Sequence, residues 1–141
     1  MLRTLFVDLL LTLAYGGVGL VLMAIGYVLV DVITPGRLRD QIWVDRNRNA
    51  TVVLASNLLA VGTIVVAAIA AGENDFVVGL LGTSAYGLLG LAVMALSFVL
   101  LDAVTPGKLG DILVDAEAHP AVWVTAVIHL ATGAIVAAAI S

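Results

Sequence analysis

The sequence predicts an all-α polytopic membrane protein of four transmembrane helices, arranged as two tandem, parallel-oriented helical-hairpin repeats. Three observations predict it. Of 141 residues, 62% are hydrophobic and 11% charged, against roughly a quarter charged in an average soluble domain, so a water-facing surface could not be covered. Four apolar segments, approximately 9–30, 51–71, 80–101 and 122–140, approach or exceed the ~20 residues that a helix needs to cross ~30 Å of hydrocarbon. Finally, the chain repeats itself at a constant offset of 71.

The segments lack the polar/apolar alternation of barrel strands, and helices are the other way to satisfy backbone groups inside a bilayer. In the first segment, Arg3 followed by an apolar run has the look of a signal peptide cut near Ala14. The repeat argues that this helix belongs to the mature fold. Tyr15-Gly16-Gly17-Val18-Gly19-Leu20 returns as Tyr86-Gly87-Leu88-Leu89-Gly90-Leu91, and Asp31-Val32-Ile33-Thr34-Pro35-Gly36 as Asp102-Ala103-Val104-Thr105-Pro106-Gly107. Over 15–40 against 86–111, 14 of 26 residues are identical, and Gly62 pairs with Gly133. One membrane domain over 1–141 is expected, with repeat 1 at 5–71 and repeat 2 at 76–141. Each copy holds two crossings, so both enter the membrane in the same direction, unlike the inverted halves of many alternating-access transporters.

Each odd-numbered span is followed by Thr-Pro-Gly. Thr34 or Thr105 is placed to cap a following helix, with Pro35 or Pro106 in its first turn and Gly36 or Gly107 next. Short amphipathic helices are therefore expected near 35–45 and 106–115, with Leu38, Ile42, Trp43, Leu109, Ile112 and Leu113 at the lipid interface and Arg37, Arg39 and Asp40 in water. Asn49, in Asn49-Ala50-Thr51, reads as the cap of the second span rather than as a glycosylation acceptor.

Charge sets the orientation. Arg37, Arg39, Arg46, Arg48 and Lys108, five of six basic residues, lie in the loops after spans one and three, whereas the loop at 72–75 holds Glu73 and Asp75 and no base. The excess of bases on cytoplasmic loops places 34–50 and 105–121 in the cytoplasm and both termini outside. Those bases are candidates for contact with anionic headgroups or a peripheral cytoplasmic protein. With 10 acidic against 6 basic residues no phosphate-tracking stripe exists, and no nucleic-acid partner is expected.

Ionisable groups inside apolar spans are costly and call for a reason. Asp31 and Asp102 sit in the last turn of spans one and three, at the negative end of the helix dipole. Two compensations are open. Each carboxylate can reach water and face the positive end of the short helix that follows. Alternatively, each can turn inward, because Asn57 and His129 lie about 9–12 Å below the same edge. Asp102 would then pair with His129 as a proton relay or pH sensor, and Asp31 with Asn57. The structural reading of His129 is a bond to a carbonyl, Thr125 or Thr132 that ties helices together. Asp8, whose offset partner is Gly79, reads as an interfacial acid near a helix start.

Gly16, Gly19, Gly62, Gly87, Gly90 and Gly133 offer surfaces for close helix packing, within the chain or between chains. Four helices leave little interior for a pore, so conduction would need a homo-oligomer, and a dimer is the favoured assembly. No cofactor or enzymatic activity is expected: the chain has no Cys, and no phosphate loop, Ser elbow or His-Glu zinc signature is present. Asp115-Ala116-Glu117-Ala118-His119 lacks the spacing of a known metal site.

Thr34-Pro35, Asn49-Ala50, Gly62, Thr105-Pro106 and Gly133, set in two tandem copies over nearly the whole chain, resemble the YjfL-like family of bacterial inner-membrane proteins, known as domain of unknown function 350. The resemblance implies a four-helix protein of the bacterial inner membrane of unassigned biochemical activity, supplies no catalytic residues and points to envelope maintenance; the function expected is an oligomeric scaffold or sensor subunit in envelope maintenance or membrane-stress response. A homo-oligomeric ion or proton channel using Asp31, Asp102, Asn57 and His129 is the alternative. The family pattern has an Asn at the start of the fourth span, where this chain has His119-Pro120.

Overall fold

A computed structural model describes residues 1–72 and 75–141. Glu73, expected in an acidic outer loop, lies outside the described residues. Six helices follow in order: α1 (Leu2–Ile33), α2 (Leu38–Trp43), α3 (Arg48–Ala70), α4 (Phe76–Val104), α5 (Leu109–Leu113) and α6 (Pro120–Ile140). Four of them, α1, α3, α4 and α6, are long and apolar enough to cross a membrane.

α3 and α6, of 23 and 21 residues, match the hydrocarbon thickness at 1.5 Å per residue. α1 and α4 are longer than their apolar runs, at 32 and 29 residues. Neither Arg3, Asp8 nor Asp31 breaks a helix, so α1 runs through all three. Asp8 consequently falls in the second turn of α1, past the first turn that the helix dipole favours for an acid.

The sequence pattern determines which stripe each helix buries. On α1 it is Gly19, Leu22, Gly26 and Val30; on α6 it is Val122, Thr125, Ala126, His129, Gly133 and Ala137. These steps of three and four keep to one helical face. The remaining faces expose Leu20, Val21, Leu96, Val99 and Val127, a surface suited to lipid rather than water. α3 is the most buried span and packs against each of the other three.

Glycines allow the closest approaches. A Cβ on Gly133 would lie 2.7 Å from that of Ala60, one on Gly90 would lie 2.8 Å from Ile64, and one on Gly87 would collide with Leu22. Gly19 meets Val65, and Gly26 meets Val61 and Asn57. Gly16 and Gly62, expected in the same role, have nothing within 4 Å of a Cβ and face outward. The contacts also give direction. Ser56 meets His129 and Ala60 meets Gly133, so α3 and α6 run parallel; Tyr15 meets Phe76 and Leu22 meets Gly87, so α1 and α4 do too.

The two short helices close one end of the bundle. Leu38, Leu109 and Leu113 are fully buried, and Leu38 and Leu113 join Val30, Ala50, Val53, Leu54 and Val122 in one cluster. This corrects the expectation that these leucines rest in the lipid interface. They lie over the ends of the spans, whose side chains bury them more completely than lipid would. Trp43 keeps its expected exposure.

Candidate functional site

The short-helix end holds most of the polar side chains that the spans exclude, beginning with the two aspartates at offset 71. The Asp31 carboxylate accepts the Leu38 N–H at 2.8 Å, and the Asp102 carboxylate accepts the Leu109 N–H at 2.6 Å. Each carboxylate thus serves the first N–H groups of the next short helix, which have no partner inside that helix. The dipole of the short helix favours the same placement.

This arrangement revises the roles of Thr34, Pro35, Thr105 and Pro106. Both threonines donate their hydroxyls backward at 2.7 Å, to the carbonyls of Val30 and Leu101. They finish the long helices and do not cap the short ones. The N-cap positions belong to Arg37 and Lys108, so both prolines precede them and lie outside the first turn. Gly36 and Gly107 make the reversal possible, with φ of +89° and +90°, values that side-chain-bearing residues rarely adopt.

A second lock was hidden from sequence reasoning. Asn49 is buried, and its amide nitrogen reaches the carbonyls of Ile112, Asp115 and Glu117 at 3.2, 3.2 and 2.7 Å. Its carbonyl oxygen accepts the His119 N–H at 3.2 Å. Asn47 adds a bond to the Asp115 carbonyl at 3.2 Å and takes the capping role expected of Asn49, its side chain accepting the Ala50 N–H at 3.2 Å. The connector between α5 and α6 is thereby tied to the start of α3. The one sequence signal was the pair of asparagines in Asn47-Arg48-Asn49, either of which can cap.

Within the spans, the expected pairs of Asp102 with His129 and Asp31 with Asn57 do not form. Asn57 donates to the Gly26 carbonyl at 3.0 Å, and the His129 Nδ1 meets the Ser56 hydroxyl at 3.2 Å. The aspartates are drawn to their helix ends by unsatisfied N–H groups. Ser56 and Asn57, neighbours on α3, point about 100° apart, one toward α6 and the other toward α1. The Ser56 hydroxyl also donates to the Val53 carbonyl at 2.9 Å, so its oxygen is left to accept from an Nδ1–H tautomer of His129. A small cavity of about 80 Å³ is lined by Asn57, His129 and apolar side chains of α1 and α4.

Arg37, Arg39, Arg46, Arg48 and Lys108 are all exposed around the short-helix end. Among the described residues no group of three or more His, Asp or Glu side chains is placed to hold a metal ion.

Residues 4–140 match the model of the family described as Domain of Unknown Function (DUF350). The chain belongs to this family. It is also similar to a UPF0719 transmembrane protein of Mycolicibacterium paratuberculosis, 32% identical over 130 residues, which cover 92% of this chain and 86% of the relative. UPF0719 transmembrane proteins of Mycobacterium bovis and Mycobacterium tuberculosis are each 35% identical over 130 residues, with the same coverage. No solved structure matches the chain. It is a multi-pass membrane protein whose relatives are bacterial.

In this DUF350 chain the Pro120 that opens α6 has no N–H to satisfy, and His119 occupies the N-cap. Its ring Nδ1 accepts the Ala121 N–H at 3.1 Å. The imidazole thus fills the capping role for which an Asn side chain is also suited.

Proposed function

We propose that this DUF350 protein is a scaffold or sensor subunit of the bacterial inner membrane, active in envelope maintenance or membrane-stress response. Its basic short-helix end faces the cytoplasm and holds anionic headgroups or a peripheral protein. The observation that carries this reading is the double lock at that end. Asp31 and Asp102 fix α2 and α5, and Asn49 fixes the second connector, so the exposed bases project from a rigid frame. Each base near an anionic surface contributes about 1 kcal/mol.

The test replaces Arg37, Arg39, Arg46 and Arg48 together with Gln. The expected result is loss of anionic lipid retained on purification, or of a cytoplasmic partner cross-linked in cells. Retention of both at the wild-type level overturns the reading. The same experiment on spheroplasts tests orientation: thiol reagents that do not cross the membrane should label a Cys at 141 from outside and one at 46 only after lysis.

Homo-oligomerisation, with a dimer favoured, belongs to this reading. The outward-facing Gly16 and Gly62 let another helix backbone approach closely. A single Cys at either position, in a chain that has none of its own, should form a disulfide-linked dimer.

The cavity beside Asn57 and His129 favours a second reading, a proton or ion path through an oligomer. Proton flux in proteoliposomes that His129→Ala abolishes would establish it. The engagement of Asp31 and Asp102 as caps counts against their part in such a path.

A further inference from the structure

α1 and α4 pack together at Gly87 against Leu22. Beyond that contact, toward the short-helix end, a cavity of about 390 Å³ opens between them, within the size range of small-molecule sites. Its walls include Ile33, Phe98 and Val99, and its mouth includes Asp102, Lys108 and Asp111. The same three apolar residues also line the smaller cavity that continues toward the middle of the bundle. The site is therefore amphipathic along the membrane normal, charged where the spans end and apolar where they enter hydrocarbon.

The geometry points to this cleft as a binding site for one aminophospholipid, with the phosphate on Lys108, the primary ammonium between Asp102 and Asp111, and an acyl chain along Ile33, Phe98 and Val99. Charge selects the headgroup. Two carboxylates against one ammonium give the mouth an excess of negative charge, which disfavours a purely anionic headgroup. A headgroup carrying both signs satisfies both. One oxygen of Asp102 is engaged by the Leu109 N–H; a carboxylate has further lone pairs with which to accept from an ammonium.

The cleft lies between the end of α1 and the α4–α5 turn of the second half. Gly110 lets α5 lie against the end of α1, since a Cβ there would stand 2.6 Å from the Ile33 carbonyl oxygen. The residue at the corresponding offset in the first half is Arg39, which could not make that approach. The cleft uses Lys108 but none of Arg37, Arg39, Arg46 and Arg48, so replacing those four bases separates it from the basic surface of the scaffold reading.

The test is native mass spectrometry of the full chain carrying Arg37→Gln, Arg39→Gln, Arg46→Gln and Arg48→Gln as background, in mild detergent, offered equal amounts of phosphatidylethanolamine, phosphatidylglycerol and phosphatidylcholine with matched acyl chains. This background should retain phosphatidylethanolamine roughly fivefold over phosphatidylglycerol, the ratio that one interfacial charge contact supplies. Lys108→Gln should lower retention of phosphatidylethanolamine, and Asp111→Asn should shrink its advantage over phosphatidylglycerol. Arg3→Gln, at the opposite end, should change neither. Lys108 and Asp111 are exposed, so unchanged helix content by circular dichroism is expected and confirms that each variant folds. Equal or stronger retention of phosphatidylglycerol by this background overturns the proposal. So does equal retention of phosphatidylcholine, whose quaternary ammonium cannot donate a hydrogen bond, or a preference that neither Lys108→Gln nor Asp111→Asn alters.

Discussion

Asn49 at the start of α3 donates to the Glu117 carbonyl, 68 residues along the chain, at 2.7 Å. The same side chain spans the connector from Ile112 to His119. A single buried amide therefore bonds the end of α5, the connector after it and the N-cap of α6, and it joins the two halves where the chain is least regular.

Replacing Asn49 should consequently destabilise more than replacing an ordinary cap. Asn49→Ala takes this partner from the Glu117 carbonyl and the His119 N–H at a part-buried site, and about 1–3 kcal/mol is expected from the desolvation cost of unpaired polar groups. Asn49→Asp should be worse, because it turns a carboxylate oxygen toward three carbonyls. Thermal unfolding in detergent checks both; a melting temperature unchanged in Asn49→Ala would show that water replaces the clamp.

The two aspartate locks make a milder prediction. Asp31→Ala and Asp102→Ala each remove an acceptor from a short-helix N-terminus, and the loss of a capping interaction costs about 0.5–2 kcal/mol. Asp→Asn at either site keeps an oxygen for the same N–H and should cost less. Amide hydrogen exchange at Leu38 and Leu109 reports the effect locally, with faster exchange expected in the Ala variants than in the Asn ones. Equal exchange in all variants would mean that packing of the buried leucines alone holds α2 and α5.

These cases mark how far the sequence can be read. The four spans were legible because hydropathy is a local property, as was the placing of Asp31 in the last turn of the first; the start of α1 at Leu2, ahead of Arg3 and Asp8, was not, because a hydropathy run stops at a charge while a helix does not. The Thr-Pro-Gly reversal was legible as a place but not as a bonding scheme. A Thr next to a helix end can bond forward or backward, and only the position of the aspartate decides. His129 and Asn57 were legible as polar groups needing partners, but their partners depend on the rotation of α3, which sequence depth does not supply. Asn49 was read as a cap because its true acceptors lie more than 60 residues away.

The buried Ser56 and His129 contact gives a measurable pair energy. Ser56→Ala removes the acceptor of the imidazole N–H, and interhelical hydrogen bonds in membranes average about 0.6 kcal/mol with a maximum near 1.7. A coupling in that range is expected from a double-mutant cycle of Ser56→Ala and His129→Leu. Zero coupling would show that the imidazole finds another acceptor.

The sharpest contrast lies between Gly62 and Gly133, which the offset of 71 pairs but which the fold treats differently. A Cβ at 133 would meet the Ala60 Cα at 2.8 Å, on backbone that cannot yield without parting α3 from α6, whereas one at 62 meets nothing within 4 Å. Gly133→Val should therefore cost the 1–3 kcal/mol typical of overpacking, or more, and lower the unfolding temperature sharply. Gly62→Val should leave that temperature of the isolated chain nearly unchanged and instead weaken self-association, read by cross-linking in liposomes. If Gly62→Val unfolds the chain, α1 and α3 pack more tightly than this structure has them. If it changes neither stability nor cross-linking, the outward face at Gly62 meets lipid alone.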